Sequence, residues 1–414
     1  MRKNIVMKKF FLVFLFIAVL AISDSFSQNR KIQFVEKPWQ EILETARKEN
    51  KLIFLDAFAS WCGPCKWMAA NIFTNDSIAD YFNNTFICVS IDMEKGDGVQ
   101  LRNKYQVRYY PSLLFINAEG EMVHEKVGAA RTIQDYISMG KIALDPNENL
   151  SSYLNRYNAG ESSEPFFQTL LLRLADAYLP VQPVLQKYFS GRTDAEMLSG
   201  HTWSVINNFV NDMNMPQFDY LVKHQHEYGK LIGKDSVDNK ISGVYMNSLM
   251  KQTRSSQVTD SLLNQLRRKI LESGFDGAAK VVFTFDLDLY QMHKQNVQFL
   301  DLAFDKLDNY YSDDSNVLNS VAWYVFKICS DNSVRDSLKY LNKAVEWARK
   351  SVSLKSEPAN NDTYASLLFA TGHRKEAISF EQVAITLAKE QSLPVNEYET
   401  TLKKMENPQE TKNP

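Results

Sequence analysis

The chain has 414 residues, 44% of them hydrophobic and 23% charged, with a formal net charge of −2. That length calls for two or three domains, that balance belongs to a globular chain with substantial cores, and near-neutrality argues against nucleic acid or an anionic surface as partner. Four cysteines in so long a chain exclude a fold stapled together by disulfides.

Arg2, Lys3, Lys8 and Lys9 precede an apolar run from Phe10 to Ile22, and Ser23-Asp24-Ser25-Phe26-Ser27-Gln28 follows. A basic start, an apolar core and small residues at 25 and 27 make a secretory signal peptide over residues 1–27, cut after Ser27. The run is shorter than the ~20 residues that cross a bilayer. A periplasmic protein is the expectation; the alternative is an uncleaved segment that anchors it to the inner membrane. Removing residues 1–27 takes away four basic residues and one acidic one, which moves the net charge from −2 to −5.

From Phe34 the pattern alternates between helix and strand. Pro38 to Glu49 reads as an amphipathic helix with Trp39, Ile42, Leu43 and Ala46 as its apolar stripe. Leu52-Ile53-Phe54-Leu55 opens a buried strand over 52–57. A helix follows from Cys62 to about Ile72, then a short one capped at Asn75-Asp76-Ser77 that ends near Phe82. Phe86 to Ile91 is a second buried strand, and a polar turn at Lys95-Gly96-Asp97-Gly98 leads to a helix over Val99 to Tyr105. Ser112 to Ile116 is a third strand, turned by Asn117-Ala118-Glu119-Gly120 into an antiparallel partner over Glu121 to Val127. A closing helix spans Thr132 to Ile142. This order predicts an α/β sheet with helices on both faces over residues 34–145.

Cys62-Gly63-Pro64-Cys65 sits where the first strand gives way to a helix. Unpaired N–H groups and the macrodipole at a helix N-terminus favour an anion. They therefore favour thiolate, the nucleophile of disulfide exchange. Cys65 lies about one turn on, close enough to close a ring with Cys62. The competing reading is half of a zinc site, which needs two more ligands, usually a second pair. Cys88 and Cys329 each stand alone, so no metal is expected. One such pair and two lone cysteines is the usage of an enzyme acting on other proteins' disulfides.

Trp61-Cys62-Gly63-Pro64-Cys65-Lys66 resembles the active site of the thioredoxin family, and the order of elements resembles its fold. The resemblance implies that Cys62 attacks, Cys65 resolves and Asp56 handles the proton. Asp56, six residues before Cys62, matches the acid that thioredoxins keep beneath the dithiol. A carboxyl in an apolar strand is costly unless paired or protonated, and a raised pKa suits it to take the proton from Cys65. The other reading of Asp56 is a strand-end aspartate facing solvent. Tyr110-Pro111-Ser112 matches the loop whose cis-proline faces the dithiol; the residues alone give an ordinary strand start. Gly128, in Lys126-Val127-Gly128-Ala129, matches the family's glycine beside the same groove, where small size lets a substrate backbone approach. The substrate-binding candidates are thus Trp61, Gly63, Pro64, Tyr110, Pro111 and Gly128.

Two departures from the family pattern stand out. The lysine that thioredoxins often carry on the strand beside the acid is matched here by Cys88. Tyr109 and Tyr110 are bulkier than the usual small aliphatic pair before the proline, which reshapes the groove. The Gly63-Pro64 pair is that of the reducing thioredoxins, around −270 mV against about −120 mV for strong oxidants. The resemblance therefore implies a protein-disulfide reductase acting outside the cytoplasm. No NADPH or flavin site is visible, so no cofactor is expected. The implied partners are disulfide-containing proteins and a protein electron donor, membrane-bound if the chain is exported.

Pro146-Asn147-Glu148-Asn149 and the stretch from Ala159 to Pro165 bracket a boundary, with a short helix between them. A helical domain is expected over 150–310 and helical repeats over 315–405. Phe166 to Tyr188 is helical in spacing, interrupted at Pro180 and Pro183. Helices follow over Thr202 to Asn211, Phe218 to Tyr228, Val237 to Met250, Val258 to Ser273 and Val297 to Tyr310, while Lys280 to Leu287 reads as either helix or strand. Leu341-Asn342-Lys343-Ala344-Val345 and Arg374-Lys375-Glu376-Ala377-Ile378 align at a spacing of 33, and Ser351 and Leu354 meet Ala384 and Leu387 at the same offset. With Tyr364, Ala365, Leu368 and Gly372 before the second copy, this resembles the tetratricopeptide repeat. Such arrays often dock peptides or proteins; the plain alternative is a body that only packs. His224-Gln225-His226 lies on a predicted helix, where i and i+2 point apart, so it is not read as a metal pair. Two readings of the whole remain. One is a thiol-disulfide oxidoreductase with a docking region. The other is a binding or assembly protein in which the dithiol is only a sensor or latch.

Overall fold

The computed structural model describes residues 30–253, 260–330 and 337–407. The expected signal peptide lies outside them, as does Val258, the expected start of a helix. Four strands build the sheet: β1 (Ile53–Phe58), β2 (Ile87–Asp92), β3 (Ser112–Ile116) and β4 (Met122–Val127), in the order β2-β1-β3-β4. β1 and β2 run parallel; β1–β3 and β3–β4 are antiparallel. Around them stand α1 (Trp39–Glu49), α2 (Gly63–Asn71), α3 (Asp76–Thr85), α4 (Gly98–Tyr105) and α5 (Ile133–Leu144).

Side chains alternate between the two faces of a strand. Ile53, Leu55 and Leu114 meet Ile42, Ala46 and Leu101 from α1 and α4. Phe54 and Phe115 point the other way, onto Met68, Phe82, Tyr136 and Met139 from α2, α3 and α5. Both faces of β1 are therefore covered, as its unbroken apolar run requires. The expected elements all form, with shifted ends. α3 runs on past Phe82 to Thr85, since Ile78, Ala79 and Phe82 keep a buried stripe.

β4 is a sheet edge, and an uncovered edge presents unpaired N–H and C=O groups. Here α6 (Leu150–Asn158) and α7 (Glu164–Asp176) pack along it. Lys126 of β4 bonds Asp176 of α7 at 2.8 Å. These helices belong with the sheet in one compact unit that ends at Met197, so the 34–145 segment sits inside a larger body. The helix expected from Phe166 to Tyr188 breaks before its prolines. α7 stops at Asp176, Tyr178 takes a positive φ of 52°, and α8 (Gln182–Phe189) restarts with Pro183 in its first turn.

The second compact unit begins at Leu198, and its described residues carry helices and no strand. Lys280 to Leu287 is helical, inside Ala278–Met292. The single helix expected from Phe218 to Tyr228 is two, Pro216–Lys223 and Gln225–Ile232. Gln225 explains the break. Its Nε2 donates to Val222 O (3.0 Å) and Gly274 O (2.9 Å), and its Oε1 accepts from Asp276 N (3.0 Å). A buried side chain thus takes up one carbonyl, that of Val222, which the interrupted helix would leave orphaned, and ties the break to the distant backbone at 274–276. His224 lies at the junction and His226 on the second helix, beside Glu227 and Asp276 respectively.

Helices Ser315–Ser330, Ser337–Leu354, Pro358–Ala370 and Arg374–Glu390 pack each on the next. Ala344, Ala348, Ala365, Ala377 and Ala384 are fully buried between them. Small side chains at these places let helix axes approach closely. Gly372, at φ +89°, turns Pro358–Ala370 into the following helix. Asn360 is buried in a seam: its Nδ2 donates to Ser351 Oγ (3.1 Å) and Lys355 O, and its Oδ1 accepts from Glu357 N (2.9 Å). Cys329 is buried in the same core.

Candidate active site

β1 delivers the chain to the start of α2, and Cys62 is the N-cap of that helix. Its Sγ accepts a hydrogen bond from Cys65 N at 3.1 Å. Cys62 and Cys65 form a disulfide with Cα atoms 5.3 Å apart. Pro64 falls in the first helical turn, where a missing N–H is harmless. In the reduced state the same N–H groups and helix dipole stabilise a thiolate on Cys62.

Asp56 sits six residues earlier, within β1 on the face that meets α2 and α5, and is 5% exposed. Its Oδ2 accepts from Ser90 Oγ at 2.7 Å, while Oδ1 has no partner. Burial pushes the carboxyl up to about 6, and the Ser90 bond opposes that rise. Asp56 is thus an acid inside the protein and not a strand-end residue in water. The residue beside it is Ser90 and not Cys88: the parallel register pairs Asp56 with Ser90 and Phe54 with Cys88. Cys88 turns its Sγ toward Phe82 O (3.6 Å), and burial pushes its thiol up to about 12.

The Tyr110–Pro111 bond is cis. Pro111 O accepts from Gly128 N at 2.8 Å, which ties the end of β4 to the loop. Gly128 has φ +89°, and a Cβ there would meet nothing within 4 Å. Backbone conformation, and not crowding, is what calls for glycine at this position. Gly63 likewise faces open space. Tyr110 packs against Cys62, Cys65 and Ala59. Its ring meets Trp61 edge-on, with centroids 5.9 Å apart.

Trp61 is 67% exposed, yet its indole is fixed: Nε1 donates to Glu94 Oε2 at 2.9 Å. Glu94 is held in turn by its N–H to Asp92 Oδ1 (3.0 Å), and Asp92 pairs with Lys95 at 2.9 Å. The structure therefore brings Asp56, Trp61, Cys62, Gly63, Pro64, Cys65, Tyr110, Pro111 and Gly128 to one end of the sheet. Sequence reading missed Ser90 and Glu94. Ser90 follows once β1 and β2 are aligned end to end, since each partner lies 34 residues on; nothing local marks Glu94. Among the described residues no group of three or more His, Cys, Asp or Glu is arranged to hold a metal.

Residues 35–118 match the family model described as thioredoxin-like. Thioredoxin H4 of Arabidopsis thaliana is 40% identical over 91 residues, 22% of this chain and 71% of the plant protein. Thioredoxin-1 of Drosophila melanogaster is 35% identical over 68 residues, 16% of this chain and 59% of that protein. The solution structure of a putative disulphide-isomerase from Bacteroides thetaiotaomicron is 44% identical, covers 29% of this chain and 98% of its own, and superposes with a TM-score of 0.27. A disulfide at the N-terminus of a helix, an acid buried on the strand that leads to it and a cis-proline loop packed beside it are thus found in a segment whose sequence matches thioredoxins, and through that segment the chain belongs to the thioredoxin family of thiol-disulfide oxidoreductases.

Proposed function

We propose that the chain is a protein-disulfide reductase acting outside the cytoplasm. The observation that carries the reading is the Cys62–Cys65 pair at the N-terminus of α2, with Asp56 sealed nearby at a raised pKa. In the reduced protein, Cys62 thiolate attacks one sulfur of a substrate disulfide, forms a mixed disulfide and expels the substrate's other sulfur as thiolate. Asp56 accepts the proton of Cys65. Cys65 thiolate then attacks Cys62 Sγ, which closes the Cys62–Cys65 disulfide and releases the second substrate thiol. Two electrons pass from the dithiol to the substrate. Trp61, Gly63, Pro64, the Tyr110-Pro111 loop and Gly128 frame the groove in which the substrate lies.

Export rests on the basic and apolar character of residues 1–27, and reduction rests on Gly63-Pro64 between the cysteines. A reductase of this kind is recharged by a donor dithiol protein, placed at the membrane when the enzyme is exported. The helical unit, with its repeat-like seams, serves to dock a partner or to select substrates. The test is a Cys65→Ser variant expressed at its natural level. The reading expects mixed disulfides through Cys62 with several exported proteins, and a potential for the wild-type pair near the reducing end of the family range. Absence of trapped proteins, with a partner still held through residues beyond 198, would favour the latch reading instead.

A further inference from the structure

A cavity of about 510 Å³ opens beside the cis loop, lined among others by Tyr105, Tyr109, Ser112, Glu125 and Tyr178. We infer that this cavity receives the side chain of a lysine or arginine carried by the substrate polypeptide near its disulfide. The inference rests on the substrate being a polypeptide disulfide, as proposed above, and adds what selects it.

Position supports it first. Tyr109 and Ser112 bracket Tyr110-Pro111, and Tyr110 packs against the cluster that Ala59, Cys62 and Cys65 form. Glu125 pairs with Leu114 in the sheet, two residues beyond Ser112. Strands advance ~3.4 Å per residue, so an extended chain laid along the cis loop brings a side chain here roughly two to four residues from its half-cystine.

Chemistry selects the occupant. Glu125 is 5% exposed, and burial pushes its carboxyl up to about 7, with a Ser112 hydrogen bond acting against the rise. A carboxyl held at the edge of ionisation gains most from a cation beside it. Tyr109 and Tyr178 pack on each other with ring centroids 5.1 Å apart and still stand 51% and 62% exposed, so each leaves ring surface open to a cation. Tyr178 is placed there by its positive φ at the end of α7. The other charged groups at the cavity are Lys104, Arg108 and Glu121, all solvent-exposed, with Lys104 Nζ 5.1 Å from the Tyr105 ring. A long flexible stem passes these screened groups, whereas an acidic side chain would be driven against buried Glu125.

The test uses the whole protein and short peptides in which serine replaces the half-cystine and a single lysine sits two, three or four residues away. Parallel peptides carry norleucine or glutamate there, and binding is read from aromatic fluorescence. At one of the three positions lysine should bind about tenfold tighter than norleucine, and glutamate more weakly than either. Glu125→Gln should bring the lysine-to-norleucine ratio near one, and Tyr178→Ala, on an exposed ring, should lower it about threefold. No lysine preference at any position, or a preference intact in Glu125→Gln, overturns the inference. Turnover of the disulfide forms is followed separately. A protein that prefers lysine but reduces nothing keeps the subsite and loses the reductase reading; reduction without the preference does the reverse.

Discussion

Asp56 in the first unit and Asn360 in the second are sealed almost equally, at 5% and 3% exposure, yet their surroundings differ. Both ends of the Asn360 amide are bonded, to Ser351 on the preceding helix and to Lys355 and Glu357 in the turn between the two helices. Asp56 has one oxygen bonded and one bare. A satisfied buried group rigidifies a seam; a half-satisfied carboxyl is left able to take up and release a proton. The difference teaches where chemistry and where architecture reside. In the first unit the cis bond, the exposed tryptophan and the half-bonded acid converge on one end of a sheet. In the second, buried polar groups such as Asn360 lie along helix seams.

The largest effect should come from Cys62→Ser. Removing the attacking sulfur should lower reduction of insulin disulfides by about 10³-fold or more, while far-ultraviolet circular dichroism of the helices stays as it was. A comparable loss on disrupting the second unit alone would break the contrast. Asp56→Asn should split two readouts. The folded pKa of about 6 exceeds the ordinary 3.8, so the folded state holds a proton that the unfolded state releases. The stability this gives is present at low pH and is lost as pH rises through about 6. At pH 7 the variant should therefore be more stable than wild type by ~2–3 kcal/mol in the oxidised state, from a shift of about two units at ~1.4 kcal/mol each. Turnover should fall ~10-fold or more, because Cys65 loses its base. Denaturant unfolding at pH 5 and 7, with turnover on the same samples, checks both.

Asn360→Ala should cost ~2 kcal/mol of stability by stranding its partners, with turnover of a small disulfide unaltered; any change in turnover would tie that seam to the chemistry. Gly128→Ala sharpens the contrast from the other side. There is room for the methyl, so the whole cost, ~1–2 kcal/mol by denaturant unfolding, comes from the left-handed backbone. Smallest is Glu94→Ala, which frees the Trp61 indole. Loss of one exposed hydrogen bond of ~1 kcal/mol should raise KM for a protein substrate about 2–5-fold and leave kcat near its original value.

How much of this was legible follows from how local each signal is. Asp56, Cys62, Cys65 and the Tyr110-Pro111 loop are fixed by spacing along the chain, and the strands by short apolar runs. Ser90 carries no local mark, because which residue stands beside a carboxyl on the next strand depends on register. Glu94 and Glu125 matter only through Trp61 and through the cavity that the end of α7 helps to wall, contacts 33 and 53 residues apart in sequence. The break at His224 was hidden for the same reason: the hydrogen bonds that stabilise it come from Gly274 and Asp276. Helical periodicity carried across a turn that only a distant backbone makes tolerable.

Cys88 and Cys329, one in each unit, are buried with thiols pushed up to about 12 and about 11. At neutral pH the buried Cys88 stays a thiol, not the nucleophilic thiolate. Neither competes with Cys62 for an incoming disulfide, so the redox pair has no internal partner with which to scramble. Each sealed sulfur also meets an alkylating reagent only when its own unit opens. The protein thus carries two built-in clocks, and mass-resolved labelling of Cys88 against Cys329 would time the opening of the sheet and of the helices separately, with no probe added.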